Sequence, residues 1–138
     1  MHNINDLAVL VSAMAIFALG GLWYSSALFS KRWVVLMGKS EEEMKAASAG
    51  SPMPLLLLGA FVCGLLISFA LAIVVNHFPP FTALRGIEIG AFCWLGFAAS
   101  TSFATALFSM GPKQLWLINS GYNLVSFVIA GLILSVWR

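Results

Sequence analysis

Hydrophobic positions in this 138-residue chain neither alternate nor keep to one helical stripe; they run on in blocks. Four stretches are apolar almost throughout: Leu7–Leu28, Leu55–Asn76, Ile87–Met110 and Leu115–Trp137. At about 1.5 Å per residue each reaches roughly 33–36 Å as a helix, against a hydrocarbon core of about 30 Å. Backbone polar groups in that layer have no water to bond, so runs of this length must be helical. The pattern predicts an all-α protein, an integral membrane four-helix bundle forming a single transmembrane domain over residues 1–138.

Polar positions divide the spans. The only long connection is Phe29–Met53, placed in the cytoplasm. Within it, Ser40 followed by Glu41, Glu42 and Glu43 fits a capping box, and Gly50, Pro52 and Pro54 close the segment. A short interfacial helix near Glu41–Ala49 is expected, its acidic face turned to water. The second connection, His77–Gly86, turns through Pro79–Pro80. The third, at Gly111–Pro112, is so short that spans three and four must form a tight antiparallel hairpin.

Composition narrows the function classes. No stretch outside the spans is long enough to bury a core of its own, so no soluble domain is expected. The net charge of +2, from seven Lys/Arg and five Asp/Glu, is too small and scattered for nucleic-acid binding. The first span reads as retained rather than as a cleaved signal. Residues before it carry no Lys or Arg, and it ends in Trp23–Tyr24 instead of small residues. Cys63 and Cys93 both lie inside spans, where a thiol is a small packing group.

Charge also suggests an orientation. Lys31, Arg32, Lys39, Lys45 and Lys113 share the side of the first and third connections, against Arg85 and Arg138 on the side of the termini. The positive-inside rule then puts both termini outside. Trp23, Tyr24, Trp33 and Trp116 would sit near the inner interface and Trp137 near the outer one. Trp94 lies about a third of the way across its span, so its indole N–H needs a partner and should face other helices.

Small residues mark faces where helices approach closely: Ala60, Gly64, Ser68 and Ala72 in the second span, and Gly86 with Gly90, then Gly96, Ser100 and Ala104, in the third. The same stripes could instead serve a homo-oligomer or another membrane protein. Ala27–Ser30 is echoed by Ala106–Ser109, and Leu66–Phe69 by Leu124–Phe127, which suggests two hairpins related by an axis along the membrane normal.

Polar side chains within the spans are costly in hydrocarbon and therefore informative. Asn119, Tyr122, Asn123 and Ser126 share one face of the fourth span, and Thr101 and Thr105 one face of the third. Tyr24, Thr105 and Asn119 stand about one turn inside the inner interface. A polar and aromatic layer of Trp23, Tyr24, Thr105, Asn119, Tyr122 and Asn123 is thus a candidate pocket; interhelical packing bonds are the alternative. Near the outer end Arg85 and Glu88, three residues apart, form either a headgroup-level ion pair or a proton-coupling site. Zinc-protease helices, Ser-His-Asp sets, Cys/His clusters and phosphate loops are all missing, so neither enzyme nor cofactor is expected.

Three segments carry a resemblance: Gly20-Gly21-Leu22-Trp23-Tyr24-Ser25 with Leu28, Phe29 and Trp33; Trp94-Leu95-Gly96-Phe97; and Ile118-Asn119-Ser120-Gly121-Tyr122 running to Gly131 and Trp137. Their order and spacing resemble the domain-of-unknown-function family 1761, small four-span bacterial membrane proteins. The resemblance implies a multi-pass protein of the bacterial cytoplasmic membrane and brings no activity with it. The functional expectation is a packing or accessory component that binds a partner. A small transporter or ligand-binding bundle, with its pocket near the cytoplasmic side and its ligand unidentified, is the alternative.

Overall fold

The computed structural model describes residues 4–23, 35, 53–110 and 112–137. Tyr24 and the interfacial helix expected near Glu41–Ala49 lie outside the described residues, as do the positive charges of the first connection. Among the described residues four helices are long and apolar enough to cross a membrane. They are α1 (Asp6–Trp23), α2 (Met53–Asn76), α3 (Ala83–Ser109) and α4 (Lys113–Val136).

Each start has a local cause. Asn5 Oδ1 accepts from the amides of Leu7 and Ala8 at 3.1 and 3.2 Å, and Asp6 adds a negative charge to the first turn of α1. Thr82 Oγ1 caps α3 by accepting from the Arg85 amide at 3.2 Å. That cap explains why α3 begins at Ala83 rather than at Ile87, where the apolar run begins. The cap, not hydropathy, sets the helix start, so Arg85 and Glu88 belong to the first turns. At its other end α3 stops on Met110, held in the left-handed region at φ 56°. Pro112 then opens α4 after the very short turn that the pattern requires.

α4 is the hub. It packs against α1, α2 and α3, while α2 and α3 touch each other only slightly. Two hairpins related by a twofold axis would pair α2 with α3 as closely as α1 with α4. The repeat suggested by the tetrapeptides therefore does not extend to equivalent packing.

The tightest crossing joins the first half of α3 to α4. A Cβ on Gly86 would run into the Gly131 carbonyl oxygen, and one on Gly90 into that of Phe127. A Cβ on Gly131 would in turn meet the Gly86 carbonyl. In lipid, where apolar burial gives no drive between helices, such backbone contact supplies the packing attraction. Ser135 Oγ donates to the Thr82 carbonyl at 2.7 Å and ties the end of α4 to the α3 cap. Most of the apolar core lies in this same half of the bundle, from Ala8 and Val9 on α1 to Leu71 and Val75 on α2, Ile89 on α3 and Leu134 on α4.

Midway, α3 changes. Residues Trp94–Ala99 form a π-helical turn, which sequence reasoning did not anticipate. Such a turn frees carbonyls from the regular ladder. Hydroxyls gather there: Ser100 Oγ donates to Leu95 O at 2.6 Å, Ser102 Oγ to Ala98 O at 2.7 Å, and Thr101 Oγ1 to Phe97 O. Beyond it, Ser100–Ser109 has no buried residue, and Phe108 is 89% exposed.

Candidate functional site

The six residues of the expected layer fall into two groups, apart from Tyr24. The first group joins α1 to α4. Trp23 Nε1 donates to the Ile118 carbonyl at 2.9 Å, and Tyr122 Oη donates to the Ile16 carbonyl at 3.1 Å. The two rings lie 6.5 Å apart at 51°. Glycines make room for both: a Cβ on Gly20 would stand 3.1 Å from Tyr122 Oη, and one on Gly121 3.1 Å from Trp23 Cζ2. Each helix thus supplies an aromatic and the glycine that admits its partner's aromatic.

The second group opens between α3 and α4 toward the Pro112 end. Thr105, Asn119 and Asn123, with Ser102 and Trp116, line a groove of about 240 Å³. Trp23 and Tyr122 are not among its lining residues. Thr105 Oγ1 donates within its own helix to Thr101 O at 3.1 Å. Trp116 Nε1 donates to Ser102 Oγ at 3.0 Å while packing edge-on against Phe103 at 4.9 Å. Asn119 and Asn123 are both half-buried. The Asn123 side chain makes no hydrogen bond among the described residues.

Trp94 faces its neighbours, as its depth requires, and donates to the Ser120 carbonyl at 3.0 Å. Residue depth was readable in advance for Trp23, Trp94 and Tyr122, but their acceptors are backbone carbonyls, which no side-chain pattern reveals. Ser68, expected on a contact face as a small residue, and Ser12, which the pattern did not single out, are both buried, and their hydroxyls have no partner among the described residues. Ser126, by contrast, donates to the Tyr122 carbonyl at 2.8 Å.

At the Pro79–Pro80 end, Arg85 Nη1 and Glu88 Oε2 form an ion pair of 3.7 Å, with side chains 42% and 53% exposed. His77 Nδ1 lies 2.8 Å from the Ile73 carbonyl. The pair adjoins a second opening. An apolar cavity of about 540 Å³ begins at Phe78, Arg85 and Glu88 and runs between α2 and α3. It shares Val74, Cys93 and Phe97 with a neighbouring cavity of about 350 Å³ that reaches Leu66 and Phe127. The two form one lateral groove where α2 and α3 fail to close on each other.

The chain matches the model of the family described as "Protein of unknown function (DUF1761)" over residues 7–135. No curated protein and no solved structure matches it. The chain belongs to the DUF1761 family.

Proposed function

We propose that this DUF1761 member is an accessory component of the bacterial cytoplasmic membrane that works by binding a partner helix in the α3–α4 groove. The partner is the same groove on a second copy of the chain. The observation that carries the reading is Asn123. Counting from Lys113, it stands about 15 Å along α4, near the middle of a core about 30 Å thick. It lines a groove that opens sideways, and its side chain makes no hydrogen bond among the described residues. A carboxamide left unsatisfied in hydrocarbon costs several kcal/mol, roughly.

The chemistry favours a second copy. A carboxamide both donates and accepts, so two Asn123 side chains meeting about a twofold axis satisfy each other. Asn119 and Thr105 flank the contact and extend it. The exposed second half of α3 supplies the surface that a facing helix would cover. Trp23 and Tyr122 act in this reading as the internal lock that fixes α1 against α4 and so holds the groove's α4 wall in place.

Fluorescently labelled chains counted singly in dilute bilayers test the proposal. Wild type should dimerise and Asn123→Gln should follow it, whereas Asn123→Leu should weaken association by about tenfold, given about 0.6 to 1.7 kcal/mol per interhelical hydrogen bond. A monomeric wild type, or an unaltered Asn123→Leu dimer, overturns it. We further propose that both termini lie outside, on the charge bias of the first and third connections; periplasmic activity of a reporter fused near Gly50 would reverse that orientation.

A further inference from the structure

The lateral groove between α2 and α3 is a separate feature on a different face, and nothing above uses it. We infer that it is a binding site for one phospholipid, whose acyl chain fills the groove and whose headgroup carries a phosphate and a primary ammonium. Length is the first argument. The α3 wall runs from Arg85 to Phe97, about 18 Å at roughly 1.5 Å per residue, and the α2 wall from Val74 back to Leu66, about 12 Å, with Phe78 just past the end of α2 extending it toward the surface. One leaflet of a core about 30 Å thick is about 15 Å deep. The groove thus begins at the membrane surface and ends near the midplane, as an acyl chain does.

Lining chemistry is the second argument. Apart from the charged pair at the mouth, the walls are Val, Leu, Ile, Ala, Phe and one Cys, with Phe127 of α4 as the floor of the deep end. Nothing there would hold a polar solute. A lipid chain needs only this continuous apolar contact, and a cleft between helices shields it on more sides than the flat bundle surface does.

The mouth supplies the specificity. Arg85 and Glu88 pair at 3.7 Å, well beyond the 2.7–2.9 Å or so of a charge-assisted hydrogen bond, and both are partly exposed. Each therefore keeps unused bonding capacity. A guanidinium offers a planar fork that matches phosphate oxygens, and a carboxylate accepts from an ammonium. A phosphoethanolamine headgroup presents both charges a few bonds apart, in the order that the pair can receive. A choline headgroup offers no N–H to Glu88. A glycerol headgroup leaves the carboxylate facing a net negative lipid.

The experiment uses the purified full chain, exchanged in detergent against phosphatidylethanolamine, phosphatidylcholine or phosphatidylglycerol of identical acyl chains and read by native mass spectrometry. Wild type should retain one phosphatidylethanolamine, with about tenfold preference over the other two, as one charge-assisted hydrogen bond would give. Glu88→Gln should erase the preference over phosphatidylcholine, and Arg85→Gln should weaken retention of all three. Ala70→Trp, which fills the deep end from an exposed position, should remove the bound lipid. Equal retention of the three lipids, preference for phosphatidylglycerol, or occupancy of the groove by a second copy overturns the inference. The two charge variants decide the matter even if Ala70→Trp does not fold. Dimerisation through Asn123 is read in a separate assay, so either proposal can fail without the other.

Discussion

The two halves of α3 are built for different tasks. From Ala83 to Cys93 the helix lies so close to α4 that Gly86 and Gly90 have no room for a side chain. From Ser100 to Ser109 it buries no residue, and Leu107, Phe108 and Met110 are exposed. The first half carries glycines at its contact, the second hydroxyls that bond back to their own helix. Glycine permits backbone contact, while a hydroxyl bonded to its own helix is satisfied without a neighbour. One continuous span can therefore be a packing element at one end and a free surface at the other.

The sharpest way to break the comparison is substitution at the crossing. Gly90→Val should cost about 3 kcal/mol or more, because the new side chain meets a backbone carbonyl that cannot move aside. Gly96→Ala, in the π turn with nothing within 4 Å of its Cβ position, should stay within about 0.5 kcal/mol of wild type. Steric-trap unfolding in bicelles measures both. Equal costs would mean that the two halves are packed alike.

A smaller effect is expected at the aromatic lock. Trp23→Phe and Tyr122→Phe each remove one interhelical hydrogen bond and should cost about 0.6 kcal/mol, up to roughly 1.7. Because the rings lie beside each other, the double variant should depart from additivity, which a double-mutant cycle would detect. Strict additivity would show two independent bonds and no lock.

The smallest change is expected at the charged end. Glu88→Gln breaks an ion pair that is about half exposed, and it should alter unfolding free energy by about 0–1 kcal/mol. A larger loss in the same unfolding assay would move Glu88 from the surface into the packed half.

What the sequence disclosed follows the same division. The four spans, the Gly86–Gly90 contact face, the inward-facing Trp94 and the Arg85–Glu88 neighbourhood were all legible, because each depends on spacing along one helix. The separation of Tyr122 from Asn119 and Asn123 was not. Spacing gives depth and a shared face, but it does not say which neighbour stands opposite each edge of that face. The central place of α4 was hidden for a related reason: the polar face of the fourth span marks one side that needs neighbours, but not that three helices would pack around it. The π turn left only an indirect trace, the run Ser100-Thr101-Ser102 directly after it.

That turn also sets a register. A π segment holds one residue more than the regular helix it interrupts, and in an α-helix one residue is about 100° of rotation. The extra residue acts as an insertion whose rotation the wide turn takes up, so the second half of α3 keeps the compass bearing it would have without that residue. Closing the turn into regular α-helix with every residue kept would leave the glycine crossing where it is and swing Thr105 by about 100°, whereas removing one residue between Trp94 and Ala99 would close the turn and keep Thr105 on nearly the same bearing. The orientation of an entire surface is thus indexed by one turn's hydrogen-bond pattern, and a change of that pattern from π to α re-aims it without altering any side chain on it.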